Sequence, residues 1–280
     1  MILAAGTILT GCRKSTAPDD AAKSKDQETQ TITIKAATGG SPKPYVYVDE
    51  ENQPAGYDIE VLKEVFDRLP QYELTFEVTD FSSVFTGLNS GSYQIGVNNF
   101  SYNKERGESY LYSYPYDKIG YVFVTKKGAE PISSFEEAAG KSFEGSAGVS
   151  VTTAVEAWNE KNPDETIGIT YTDSDTAVLL QHIEDGTVDF GIIDVAMYNE
   201  YQKEYSFDVV GTEIPEDEAK QIADNTYAYY IFPKDQGELR DAVNGVLKEL
   251  QADGTLTELS EKWFGQDTAP EAERFEETIN

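Results

Sequence analysis

"GTVDFGIID", residues 186–194, and "GSYQIGVNN", residues 91–99, share one cadence. Each opens on a turn glycine (Gly186, Gly91) and a hydroxyl residue (Thr187, Ser92). Each then carries a polar residue (Asp189, Gln94) and a central glycine (Gly191, Gly96), and ends on a polar tip, Asp194 or Asn99. The apolar residues between, Val188, Phe190, Ile192 and Ile193 in the first case, read as a buried strand behind a turn. A strand plan that occurs twice, each time tipped with a polar residue, predicts two similar lobes facing something small.

The elements around these strands repeat as well. "TITIKAAT" (31–38) alternates as a first strand, and "PYVYVDEENQPAGYDI" reads as a hairpin turning at Asp49–Gln53. Asp58 stands where an N-cap would for the helix "IEVLKEVFDRL", whose Ile59, Leu62, Phe66 and Leu69 form an apolar face. "LTFEVT" (74–79) is a strand, and "SSVFTGLNSG" (82–91) is a helix stopped by Gly91 ahead of the strand that ends at Asn99. The second half follows suit. "SFEGSAG" (142–148) is a strand, "VTTAVEAWNEKN" a helix, "GITYT" a strand, "DTAVLLQHIEDG" a helix stopped by Gly186, and "AMYNEYQKEY" the helix after Asp194. Strand–helix alternation of this length predicts parallel sheets with right-handed crossovers. "GYVFVTKKG" (120–128) and "TYAYYIFPKD" (226–235) are left as a pair of connecting strands. The helices of "ELRDAVNGVLKELQADGTLTELSEKWFG" then need a host, naturally the first lobe. The expected fold is α/β, two Rossmann-like lobes on a two-strand hinge beside a cleft. Residues 31–118 and 229–280 would form lobe 1, and residues 119–228 lobe 2.

The chain has 51 acidic and 22 basic residues, for a net charge of −29. No basic stripe is available to displace counterions from a polyanion, so nucleic acid is excluded as a partner. The plain reading of the acidity is solubility. The one cysteine, Cys12, excludes a disulfide framework and a cysteine metal cluster. It ends "MILAAGTILTGC", an apolar run too short to span a bilayer, and the chain turns polar directly afterwards. Residues 1–11 are read as a signal-peptide remnant and residues 12–30 as a flexible tether. "LTGC" resembles the bacterial lipobox, which implies a lipidated Cys12 and a soluble body anchored to a membrane. No Lys or Arg precedes the apolar run, which points to a start codon upstream or a chain that begins late.

Ligands of open parallel sheets sit outside the carboxyl ends of the strands, where Asn99 and Asp194 lie. "FSYNKER" follows Asn99, with Ser101, Asn103 as a helix cap, and Arg106. An Arg there, five residues after a hydroxyl, suits a carboxylate held bidentately, and helix N-termini add N–H groups for the same anion. Asp194 on the other lobe suits an ammonium. Together they describe a receptor for a zwitterion. Each also has a plain reading: Arg106 as a surface residue of a charged helix, Asp194 as the N-cap of the next helix.

"PAGYDIEVLKEV", "DFSSVFTGLNSGSYQIGVNNFSYNKER", "YLYSYPY", "GTVDFGIIDVA" and "LKELQADGTLTELSEKWFG" resemble the type II extracytoplasmic solute-binding proteins of ABC importers, polar amino-acid branch, over about residues 31–265. "NNFSYNKER" and the ending look most like cystine-binding members. The resemblance implies that Arg106, Ser101 and Ser150 hold a ligand carboxylate. It implies that Asp194, the Asn99 carbonyl and Ser101 meet the ammonium, and that Phe81 walls the side-chain pocket. The loop "TGGSPKPY" departs from the branch, with Pro42 where a stacking aromatic is frequent. Tyr45, three positions on, is read as part of the lobe core, with a place in the side-chain pocket as its other candidate role. His182 is read as a helix-surface or boundary residue, Trp158 and Trp263 as packing, and "DEEN" (49–52) as a solvated turn without calcium-loop spacing.

These features predict a monomeric, lipid-anchored, extracytoplasmic receptor for a free amino acid, of the polar type or cystine. It would need no cofactor or metal and would deliver its ligand to an ABC permease as the cleft closes. The alternatives are a small-molecule lyase on the same scaffold, for which no acid–base pair stands out, and an amino-acid sensor that signals to another protein.

Overall fold

The computed structural model describes residues 31–223, 226–276 and 278–279. The expected signal remnant, tether and Cys12 lie outside them. In chain order the elements are β1 (Ile32–Thr38), β2 (Tyr47–Val48), β3 (Pro54–Ala55), α1 (Tyr57–Asp67), β4 (Tyr72–Val78), α2 (Phe81–Asn89), β5 (Ile95–Ser101), α3 (Lys104–Ser109), β6 (Tyr110–Tyr112), β7 (Asp117–Lys118) and β8 (Tyr121–Lys126). They continue with β9 (Ser142–Gly145), α4 (Ser150–Lys161), β10 (Gly168–Tyr171), α5 (Thr176–Asp185), β11 (Phe190–Asp194), α6 (Val195–Tyr205), β12 (Val209–Glu213), α7 (Glu216–Ile222), β13 (Tyr227–Pro233), α8 (Gly237–Ala252) and α9 (Thr255–Phe264).

Two main sheets form. The first runs β4-β1-β5-β13-β6 with β7 paired to β13, and the second runs β10-β9-β11-β8-β12. In each, three strands are parallel, in the order second, first, third. The paired cadences explain the likeness. Gln94 Oε1 accepts the Lys35 N–H at 3.0 Å and Asp189 Oδ2 accepts the Ser142 N–H at 2.7 Å, so each polar residue clamps the first strand of its own sheet. Each central glycine makes room for a neighbour. A Cβ on Gly96 would lie 2.7 Å from Ile231 Cγ1, and one on Gly191 would lie 3.0 Å from Ile183 Cδ1.

The sheets are mixed, not purely parallel. β8 is antiparallel to β11 and β12, and β13 to β5, β6 and β7. The two stretches expected to be connectors are central strands. Both are apolar along their length and almost wholly buried, as a strand covered on both faces must be. They enter straight from the lobe crossing, with no helix to impose a parallel return. The two crossings meet where the Ile119 N–H donates to Thr226 O at 2.8 Å. β13 starts at Tyr227, so the expected lobe boundary at 228 falls inside it.

The helical ending packs on the first lobe, as its lack of new strands required. Trp263 Nε1 donates to Glu60 of α1 at 2.6 Å, and the Phe264 ring lies 4.6 Å from that of Tyr57. Beyond α9 the chain turns back over the crossings. The Lys118 N–H donates to Thr268 O at 2.8 Å, Thr268 Oγ1 donates to Asp117, and Tyr227 OH donates to Glu271 at 2.8 Å. Phe275 is fully buried there, edge-on to Tyr114. Trp158 packs as expected, stacked on Phe135.

α1 corrects one expectation. Its N-cap is Gly56, at φ 120°, where a Cβ would lie 2.2 Å from Tyr45 O. Only glycine fits that approach. Asp58 therefore falls inside the first turn and is completely buried.

Candidate functional site

A cleft of about 770 Å³ lies between the carboxyl ends of the two sheets. Its walls include Phe81, Asn99, Ser101, Arg106, Ser150 and Asp194. Residues far apart in sequence are thus brought to one surface.

One half of the cleft is built on β5, α3 and α4. Asn103 Oδ1 accepts the Arg106 N–H at 2.7 Å, capping α3 as its position in "FSYNKER" predicted. The Arg106 guanidinium lies over the rings of Phe100 and Phe85, 5.4 and 5.6 Å from their centroids, and Nη1 donates to Ser101 O at 2.9 Å. Aromatic faces, the Ser101 carbonyl and the neighbouring Tyr112 hydroxyl fix the plane of the fork, whose five N–H donors exceed these partners and suit a carboxylate. Across the cleft, Ser150 is the first residue of α4, whose N-cap Val149 supplies no side-chain acceptor. The open N–H groups of that turn favour an anion. Ser101 Oγ and Ser150 Oγ share a hydrogen bond of 2.6 Å, which joins the lobes.

The other half centres on Asp194. Its Oδ1 accepts from Ala196 N–H at 2.8 Å, from Met197 N–H at 3.3 Å and from Tyr45 OH at 2.7 Å. Asp194 does cap α6, but one oxygen suffices for that. Oδ2 is buried with no hydrogen-bond partner, and so is Asn99 Oδ1 opposite. Burial pushes the Asp194 carboxyl up to about 6, against the pull of Tyr45 and the two amides. Buried acceptors without donors are costly, and a ligand ammonium supplies three donors.

Phe81 and Pro42 complete the wall of the cleft. Phe81, at the start of α2, lines it with its ring 5.3 Å from Phe85 and 5.9 Å from Phe100. Pro42 also reaches this wall. Tyr45 does not. Its ring is buried in the first lobe, 5.3 Å from Phe264, and only its hydroxyl extends to Asp194. The pocket role kept for Tyr45 is not met, and its ring takes the lobe-core place instead, held inward by the chain around Gly56, while its hydroxyl bridges the lobes. His182 is a boundary residue with a partner, its Nδ1 lying 2.8 Å from Glu144 Oε2, and Glu144 lines the cleft.

Sequence reasoning missed Asn98, whose Oδ1 accepts from Gly39 N–H at 2.8 Å and from Thr38 Oγ1 at 3.1 Å, anchoring the β1 loop at the cleft edge. It also missed the placement of Asp58, although a signal was present. Asp58 stands three, four and seven residues before Val61, Leu62 and Val65, on the apolar stripe of α1.

The profile of the bacterial extracellular solute-binding proteins, family 3, matches residues 34–266. The chain belongs to this family. It is therefore a family 3 solute-binding protein, not an enzyme, and works outside the cytoplasm. Among its relatives, the L-cystine-binding protein TcyK of Bacillus subtilis is 27% identical over 266 residues, covering 95% of this chain and 94% of TcyK. The L-cystine-binding protein TcyA of the same organism is 30% identical over 237 residues, covering 84% and 82%. A solved structure from work on glutathione import via GshT and the cystine ABC importer TcyBC of Streptococcus mutans superimposes with a TM-score of 0.81. It is 33% identical, with 87% of this chain and 99% of that one covered. The family 3 protein described here thus has the two-lobed type II fold.

Proposed function

We propose that this family 3 protein captures a free amino acid, of the polar type or cystine, and delivers it to the permease of an ABC importer. The observation that carries this reading is the pairing of opposite poles across one cleft. The stacked Arg106 fork and the open N-terminus of α4 face a carboxylate, while unpartnered Asp194 Oδ2 and Asn99 Oδ1 face an ammonium. In this assignment Arg106, Ser101 and Ser150 bind the carboxylate. Asp194, Asn99 and Ser101 bind the ammonium, and Phe81 bounds the side chain. A ligand so held bridges both lobes and favours the closed state. The protein acts as a monomer, and a lipid on Cys12 anchors it to the membrane.

The cleft volume lies within the range of about 300–1,000 Å³ typical of small-molecule sites. That room, with the cystine-binding relatives, favours cystine within the amino-acid class. A second reading, glutathione, draws on the same volume and on the likeness to the S. mutans structure. A thermal-shift and calorimetry panel of L-cystine, glutathione, glutamine and arginine tests both. Saturable binding of L-cystine supports the first reading. Binding of glutathione alone replaces it with the second, and no response to any α-amino acid or peptide overturns both.

A further inference from the structure

Asp58 is a fully buried acid that touches the cleft residue Asn99 without itself lining the cleft. Its Oδ2 accepts the Asn99 N–H at 2.6 Å, and the Tyr116 hydroxyl lies beside the same carboxyl. Its main chain is bolted down on both sides. The Asp58 N–H donates to Tyr45 O at 3.0 Å, and Tyr230 OH donates to Asp58 O at 2.8 Å. The carboxylate is thus a fixed point set by α1, the β2–β3 hairpin and β13.

What it holds is an irregular piece of strand. Asn99 has φ 47°, in the left-handed region that residues other than glycine seldom enter and that asparagine tolerates best among them. The β5–β13 register breaks at the same place, where Tyr229 pairs with Phe100 but Ile231 pairs with Gly96. Such a bulge turns side chains out of the sheet's regular alternation. This one presents Asn99 to the cleft, with Ser101 two residues on.

Asp58 is an expensive way to hold an amide. Burial pushes its carboxyl up to about 7, and the charge of Asp194 on the facing lobe adds to that rise.

We propose that Asp58 is the positioning residue for the ammonium half of the site: by pinning the Asn99 bulge it sets the preference for α-amino ligands over their deamino counterparts. The proposal rests on the zwitterion reading of the cleft.

Two substitutions separate position from charge. Asp58→Asn keeps an oxygen for the Asn99 amide, and Asp58→Ala removes it. Hydrogen exchange at the Asn99 amide needs no ligand. It is expected to quicken by about tenfold or more in Asp58→Ala and to stay near wild type in Asp58→Asn. Calorimetry uses L-cystine and 3,3′-dithiodipropionic acid, its deamino counterpart. Asp58→Ala is expected to weaken L-cystine by about tenfold or more and the diacid by less than about threefold. Asp58→Asn is expected to leave both within about threefold. If Asp58→Ala does not fold, Asp58→Glu displaces the oxygens by one methylene and is expected to show the same selective loss. Equal losses on both ligands would reduce Asp58 to a packing residue and overturn the proposal, as would unchanged exchange at Asn99. If wild type binds neither probe, the cystine reading fails, and the exchange comparison alone decides whether Asp58 holds Asn99.

Discussion

Arg106 and Asp194 sit on different lobes, and each can be tested without disturbing the fold. Arg106→Ala is expected to cost about 2–5 kcal/mol of binding, as when one charge of a buried pair is left unmatched. Lysine at 106 should recover only part of that, because an ammonium is a point charge and cannot present a fork; titration calorimetry showing unchanged affinity would remove Arg106 from the site. Asp194→Asn keeps an oxygen for the α6 amides and Tyr45, so stability should move by no more than about 1 kcal/mol. Binding of an α-amino ligand should nevertheless weaken about thirtyfold or more. The same residue predicts a pH dependence. Its carboxyl is raised from 3.8 to about 6 in the folded protein. Between those values the folded state holds a proton that the unfolded state has lost, so this group's stabilisation falls as pH rises through the window and is gone above about 6. A docked ammonium favours the carboxylate, so binding near pH 6 should release protons. Calorimetry in buffers of different ionisation enthalpy would show it, with a smaller release in Asp194→Asn, and an absence of release in wild type would contradict docking at Asp194. The local half of this site was legible in sequence, since Ser101, Asn103 and Arg106 lie within six residues and their offsets describe a capped turn. The Tyr45–Asp194 bond spans 149 positions and depends on how the lobes meet, which no local pattern encodes.

Helices with a clear apolar stripe, such as α1 and α8, and glycine-stopped helices such as α5, announce themselves. Their ends follow from local chemistry, as with Gly186 at φ 78° closing α5. Short pieces do not. β6 and β7 have three and two residues, too few for any period, and exist because β13 offers them partners. The direction of β8 and β13 was also beyond reach, because an apolar run reports burial on two faces but not polarity. The repeated cadence marked the positions of the clamp and of the glycine in each third strand, but not their use, which appears only in the folded sheets. Gly96→Ala should therefore destabilise by about 1–3 kcal/mol, the usual cost of overpacking, through its approach to Ile231 on the neighbouring strand. Urea unfolding is the measurement, and a midpoint equal to wild type would show that β5 and β13 can slide apart freely.

The whole molecule depends on its last residues more than the family profile suggests, since that profile ends at 266. Residues after it grip Asp117, Lys118 and Tyr227, which belong to both crossings. Phe275→Ala should lower stability by about 3–5 kcal/mol, as for other fully buried aromatics; a melting temperature unchanged in scanning calorimetry would show that this packing contributes nothing. Cys12→Ser should free the protein from membranes while ligand binding in solution persists, and a serine variant that still sediments with membranes would refute the anchor. The two-lobe plan was readable from repetition alone, whereas the embrace of the crossings by the tail was not, because nothing before residue 266 requires it. The crossings have one more consequence, which concerns time. The second sheet is drawn from one unbroken stretch, Tyr121–Glu213, while the first needs both Ile32 and Pro233. A chain emerging from the ribosome amino end first can finish the later-born sheet while the earlier-born one still lacks its centre. Until β13 arrives, β5 offers an unpaired, apolar edge, the kind that recruits neighbouring chains into aggregates. The half of the protein that is made first is thus the half that stays vulnerable longest.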